Sequence, residues 1–161
     1  MILNVAILAL VTLQRLGELW LSKHNTNRLL AQGAREHAPG HYPLIVAVHT
    51  AWLLTLWLLA PFRPIDGLWL AMFVAIEILR IWVLASLGPR WTTRIIVPPE
   101  TDLVRRGPYR FINHPNYLVV ISEILVLPLV FGLWQVALIF TLLNAAILTI
   151  RICAENAALG R

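Results

Sequence analysis

The chain has little charge and almost no sulfur chemistry. Charged residues make up 13% of its 161 positions and apolar residues 59%, against about 25% and roughly 45–50% in soluble domains. That balance excludes an ordinary water-soluble domain and points to an integral membrane protein. A single cysteine, Cys153, excludes an internal disulfide. No Gly-x-Gly-x-x-Gly and no Walker A sequence is present, which removes the Rossmann and P-loop nucleotide sites. A Gly-x-Ser-x-Gly nucleophile elbow is missing as well. His37 and His41 stand four apart, but Ala38-Pro39-Gly40 between them forbid the helix that would align them on a metal. The N-terminus has neither a basic leader nor a small-residue cleavage site, so it reads as a retained anchor.

Long apolar runs are what the chain does have. Windows of near-spanning length fall at about 1–21, 43–60, 67–86, 117–131 and 133–152. The expected fold class is an all-α integral membrane protein: one membrane domain over 1–161, three N-terminal spans in 1–86, and a loop, two further helices and a C-terminal segment in 87–161. Gly132 alone separates the last two windows, which predicts a tight helical hairpin. Pro128 lies inside the fourth window, where neighbouring helices can satisfy a freed carbonyl.

Basic residues give the orientation. The loop at about 22–42 carries Lys23, Arg28 and Arg35, and the one at about 87–116 carries Arg90, Arg94, Arg105, Arg106 and Arg110. The loop between them in the chain carries only Arg63. By the positive-inside rule the first and third loops, and the C-terminus, face the cytoplasm of a bacterial inner membrane, with the N-terminus outside. The net charge of +5 is therefore read as orientation against anionic lipid, not as nucleic-acid binding. The first loop is expected to hold a short interfacial helix between polar turns.

Ionisable residues within the apolar windows are costly, about 2.5–3.5 kcal/mol each on insertion scales, and so are functional hypotheses by default. Arg15 and Glu18 lie three apart in the first window, Glu77 and Arg80 in the third, a spacing that puts each pair on one helix face. His49 stands in the second and Glu123 in the fourth. Their depths place them in the layer beneath the third loop, so a shared polar cavity is expected rather than separate bridges. Arg151 and Glu155, four apart, share a face where the last span ends.

The densest chemistry lies in Arg106-Gly107-Pro108-Tyr109-Arg110-Phe111-Ile112-Asn113-His114-Pro115-Asn116-Tyr117. Its glycine and prolines argue for a shaped loop at a helix entrance. By itself that loop could be no more than a headgroup anchor with His114 at a helix start.

Gly107-Pro108-Tyr109 through His114-Pro115-Asn116-Tyr117, followed by Arg151 and Glu155, resembles the isoprenylcysteine carboxyl methyltransferase family over roughly 88–159. Gln14-Arg15-Leu16-Gly17-Glu18 and His41-Tyr42-Pro43 look more like its small bacterial branch, associated with O-methylation of alkylpyrones and alkylresorcinols. The resemblance implies S-adenosylmethionine held by Gly107, Pro108, Tyr109, Arg110, Asn113, His114, Pro115 and Tyr117, with Arg151 and Glu155 in cofactor or catalytic roles. A lipophilic acceptor would enter from the bilayer. Asn113 stands where the family has Arg and Asn156 where it often has a second Glu, departures that argue against a prenylcysteine carboxylate as acceptor.

Residue chemistry fits a phenol or enol acceptor, which must lose a proton. Glu18 or His49 is the expected base and Arg80 or Arg15 the expected oxyanion partner, with Arg15, Glu77 and Glu123 about the substrate. Two other readings stand beside this one: a membrane reductase of the sterol-reductase type using a nicotinamide dinucleotide, and a non-catalytic membrane subunit or transporter. A homo-oligomer is compatible with all three.

Overall fold

The computed structural model describes residues 1–97, 99 and 104–158, with the side chains of 156 and 158 outside that description. Five helices carry the chain: α1 (Ile2–Ala31), α2 (Tyr42–Leu59), α3 (Gly67–Leu87), α4 (Pro115–Val130) and α5 (Trp134–Ala158). Four of them are long and apolar enough to cross a membrane. The fourth in order, α4, has 16 residues and at 1.5 Å per residue rises only about 24 Å, so of the five expected spans four have helices of spanning length and α4 is a shorter apolar helix.

The outward faces are apolar. Leu10, Leu13, Trp20, Leu58, Leu68 and Ile78 are all exposed, an apolar surface suited to lipid. Inside, Leu8 and Val11 of α1 meet Trp52 and Leu56 of α2, Phe73 of α3, and Ile124, Leu127 and Val130 of α4. This core fills the end of the bundle where α1 begins and α2 ends. Asn4 closes that end, donating from Nδ2 to the carbonyls of Ala60 and Arg63, both at 2.8 Å. Asp66 caps α3, its Oδ1 accepting from Leu68 N and Trp69 N at 2.9 and 3.2 Å. Between α4 and α5 run Phe131, Gly132 and Leu133; Gly132 takes φ +68°, the left-handed conformation that lets a helix stop within one residue.

The opposite end departs from the sequence expectation in two ways. First, α1 does not stop near residue 21 to give way to a separate interfacial helix; it continues to Ala31. The extension is polar, and the third loop satisfies two of its buried side chains: Ser22 Oγ lies 2.7 Å from Thr93 Oγ1, and Asn25 Nδ2 donates to Trp91 O at 2.9 Å. Second, the two basic loops pair as a short antiparallel ribbon, β1 (Arg35–His37) against β2 (Ile95–Val97), the one sheet among the described residues. Arg94 clamps the ribbon, donating from Nη1 to both oxygens of Glu36 at 2.9 and 3.1 Å, and its guanidinium lies 4.6 Å from the Tyr42 ring centroid. The ribbon fixes the first and third loops as a single rim.

Candidate functional site

The third loop is built against α3 before it reaches any ligand. A one-turn 3₁₀ helix, Gly107–Arg110, opens at Gly107 with φ +58°, and a Cβ there would collide with the Ser86 side chain. Only glycine suits both the conformation and the contact. Pro108 beside it is buried, and Arg106 Nε donates to Ser86 O at 2.7 Å. His114 is the residue before α4, its carbonyl accepting from Tyr117 N at 3.1 Å, and its side chain makes no cap bond. The ring is free to stack on Tyr117, with centroids 5.3 Å apart. Pro115 takes the first turn of α4 and is fully buried.

From this frame the loop meets the end of α5. Arg151 Nε donates to the Tyr117 hydroxyl oxygen at 2.9 Å, and that hydroxyl donates to Glu155 Oε2. His114 Nδ1 lies 3.7 Å from the same carboxylate oxygen. Arg151 and Glu155, expected to share a face, are thus joined through Tyr117.

Two cavities adjoin this junction. The larger, about 590 Å³, lies under the rim and takes in Tyr109, Arg110, Asn113 and His114 from the loop and Arg151 and Glu155 from α5. Its other wall carries Arg90, Arg94 and Arg105. Gly107, Pro108 and Pro115 stand behind this lining and shape the loop. Burial pushes the Tyr109 phenol above its ordinary range, and Glu155 adds to the shift, so Tyr109 remains a neutral hydrogen-bonding group. The smaller cavity, about 390 Å³, opens between α1, α2 and α5 among Leu16, Leu19, Ile45, Leu53 and Leu148. Trp91, Thr92, Asn116, Tyr117 and Arg151 line both, so a basic, aromatic cleft and an apolar one meet at the Tyr117–Arg151 bond.

The floor of the apolar cleft is ionic. Arg15 Nη1 lies 3.0 Å from Glu18 Oε2 and Nη2 lies 2.7 Å from Glu123 Oε2. Arg80 Nε lies 3.1 Å from Glu18 Oε1 and 2.6 Å from Glu123 Oε1. Arg80 thus turns to α1 and α4 rather than to Glu77, which shares its face. Glu77 Oε2 instead accepts from Gln14 Nε2 at 2.7 Å. Arg15, Glu18, Arg80 and His49 line the cleft, whereas Glu77 and Glu123 lie outside its lining. In the sequence Gln14 stands out only as part of the Gln14-to-Glu18 motif, and Asn144 does not stand out as a site residue. A lone amide in the middle of an apolar span was the available signal for Asn144, which is buried and lines the same cleft. Among the described residues no group of three or more His, Cys, Asp or Glu is placed to hold a metal ion.

The model of the isoprenylcysteine carboxyl methyltransferase family matches residues 69–161. The chain belongs to this family. Similar along most of their length are two bacterial proteins, both described as uncharacterized. YpbQ of Bacillus subtilis (strain 168) is 38% identical over 159 residues, 95% of this chain and 94% of that protein. One from Haemophilus influenzae (strain ATCC 51907 / DSM 11121 / KW20 / Rd) is 25% identical over 152 residues, 91% and 88% of the two chains. No solved structure matches. The family match takes in α3 from Trp69 onward, the third loop, α4 and α5. Membership in the isoprenylcysteine carboxyl methyltransferase family supports a membrane methyltransferase, and the basic cleft lies within the matched residues apart from Leu29.

Proposed function

We propose that the protein transfers a methyl group from S-adenosylmethionine to an oxygen of a lipophilic acceptor at the cytoplasmic side of a bacterial inner membrane. The acceptor is a phenol or enol of the alkylpyrone or alkylresorcinol type, or a prenylcysteine-like carboxylate. The observation that carries the reading is the shared wall: one cleft suited to a polar cofactor and one suited to a greasy acceptor meet, among the described residues, at Trp91, Thr92, Asn116, Tyr117 and Arg151.

The donor set fits that cofactor. A cleft of about 590 Å³ is within the roughly 300–1,000 Å³ typical of small-molecule sites. Arg90, Arg105 and Arg110 suit a carboxylate, the faces of Tyr109 and His114 suit a purine, and Glu155 suits an ammonium or sulfonium. When bound, the cofactor supplies an activated methyl on a positively charged sulfur. What the protein must do is align the acceptor oxygen and keep water out, and such positioning is worth about 7–11 kcal/mol. Tyr117, held from both sides by Arg151 and Glu155, is rigid where the two clefts meet. The apolar cleft opens between α1, α2 and α5 on faces that are themselves apolar, which suits entry of the acceptor from lipid. The arginines of the third loop support a cytoplasmic face for the basic cleft.

The test is transfer of radiolabel from methyl-tritiated S-adenosylmethionine into solvent-extractable product by purified protein in bilayer nanodiscs, with alkylphenols, alkylpyrones and a prenylcysteine offered separately. Label in an O-methyl product supports the reading. Release of no label with any oxygen acid counts against it.

A further inference from the structure

Among the side chains that line the apolar cleft, Trp52 Nε1 and Arg15 Nε are buried without a hydrogen-bond partner, and His49 and Asn144 also keep unused hydrogen-bonding capacity. His49 Nδ1 lies 2.8 Å from the carbonyl oxygen of Ile45, one turn earlier in α2. A carbonyl can only accept, so Nδ1 carries the hydrogen, and in the neutral ring the lone pair is left on Nε2. Nε2 has no hydrogen-bond partner among the described residues, and His49 lines the cleft. Across from it on α5, Asn144 is 2% exposed and its Nδ2 has no partner. A buried donor left unpaired costs about 1–3 kcal/mol, and a group left so in a ligand-sized cleft is one that a bound polar atom can satisfy. A bare ring nitrogen and an unpaired amide in one greasy cleft describe a receptor for a molecule with an apolar body and a polar, hydroxyl-bearing head.

Glu18, the other base the sequence offers, is already engaged. Its Oε2 faces Arg15 at 3.0 Å, its Oε1 faces Arg80 at 3.1 Å, and Gln14 donates to Oε1 at 3.3 Å. Taking up a proton there would break an ion network in which Arg15 and Arg80 are shared with Glu123. His49 can take a proton with no bond broken, because its one hydrogen bond is made through the opposite nitrogen. Arg15, Glu18, Arg80 and Arg151 are the charged groups that line the cleft with it.

We propose that His49 is the catalytic base of the methyl transfer, with Asn144 holding the acceptor's head group, and that the acceptor is a hydroxyl acid still protonated at neutral pH rather than a carboxylate. The inference rests on the methyl-transfer reading above. The acceptor's O–H bond breaks toward His49 Nε2 as its oxygen forms a bond to the methyl carbon. The sulfur keeps the electron pair of the broken S–CH₃ bond and leaves as a neutral thioether, and the imidazolium returns its proton to water once product departs. A carboxylate acceptor would need no such nitrogen, since it is already ionised.

The experiment compares wild type, His49→Gln and Asn144→Leu on a series of alkylphenols whose ring substituents grade the hydroxyl from a pKa of about 10 downward. General-base catalysis is worth about 10²–10⁴-fold. His49→Gln is therefore expected to lose at least about 100-fold in kcat on the least acidic phenols and only a few-fold on those already ionised. Asn144→Leu is expected to raise KM across the series. Histidine-labelled ¹⁵N spectra provide a readout that needs no turnover: His49 shows a protonated Nδ1 and a bare Nε2, and the Nε2 signal moves when an alkylphenol is added without cofactor. An equal loss on every phenol, a proton on Nε2 in the free protein, or methylation of carboxylates only would overturn the assignment. If S-adenosylhomocysteine fails to stabilise the wild type, the methyl-transfer reading itself fails, while the nitrogen spectra still decide whether His49 meets a hydroxyl.

Discussion

Arg151 Nε sits 2.9 Å from the Tyr117 hydroxyl oxygen, a bond between the last helix and the first turn of the helix before it. It closes the gap between a proline-rich loop and a terminal helix that are 34 residues apart in sequence. Because the same hydroxyl donates to Glu155, one phenol sets the geometry of both charged groups at the meeting of the two clefts.

Tyr117→Phe should therefore loosen Arg151 and Glu155 without disturbing α4. Hydrogen bonds to charged groups contribute about 1.5–3 kcal/mol, which corresponds to about 10–150-fold weaker cofactor binding. Calorimetric titration with S-adenosylhomocysteine measures this, and unchanged affinity would mean that the phenol is a packing group only.

Glu123→Leu should be far more damaging to the fold than to the surface charge balance. Glu123 is 1% exposed and lies between Arg15 and Arg80 at 2.7 and 2.6 Å. Removing one member of a buried ion cluster leaves its partners uncompensated and costs about 3–5 kcal/mol. Thermal unfolding in detergent reports it. A change of under about 1 kcal/mol would place water, not Glu123, at those guanidiniums.

Gly107→Ala tests how the loop is seated. The new methyl meets the Ser86 side chain at a backbone φ of +58°, and overpacking combined with left-handed strain costs about 1–3 kcal/mol for each source. Ser86→Gly in the same chain should recover the part of the clash made with Ser86 and leave the backbone part and the 3.2 Å approach to Trp82 Nε1. If the single variant melts with wild type, the loop does not pack on α3 as described.

Much of this site is legible in the sequence. Arg15, Glu18, Arg80 and Glu123 declare themselves as charges in apolar runs, and their helical spacing and depth predict that they meet. The Gly-Pro-Tyr to His-Pro-Asn-Tyr stretch is legible as a shaped loop. Its partners are less so. The 22–31 stretch reads as a polar connector because Ser22, Asn25 and Thr26 are poor helix formers, yet it is helical because the third loop satisfies Ser22 and Asn25 from 71 and 66 residues away. Strands of three residues, β1 and β2, carry too little period to be seen. Arg80 would be paired with Glu77 from spacing alone, and only the packing of α3 on α4 and α1 reveals that it serves Glu123 and Glu18.

Orientation is open to direct test. Single cysteines placed at Arg63 and at Arg110 in a Cys153→Ser background should react with a membrane-impermeant maleimide differently in intact cells. Arg63→Cys is expected to label from outside and Arg110→Cys only after the membrane is opened. The reverse pattern would put the basic cleft on the wrong side for a cytoplasmic cofactor.

If the proposed methyl transfer is right, the cleft beneath the third loop holds a sulfonium cofactor next to an acceptor in the apolar cleft. Thermal stability of the purified protein in detergent, followed as S-adenosylhomocysteine or NADPH is titrated, tests it most directly, because a ligand that binds only the folded state must raise the melting temperature. A saturable rise of several degrees is expected with S-adenosylhomocysteine, reduced in Tyr117→Phe, and none with NADPH. Stabilisation by the dinucleotide, or by neither ligand, would contradict it.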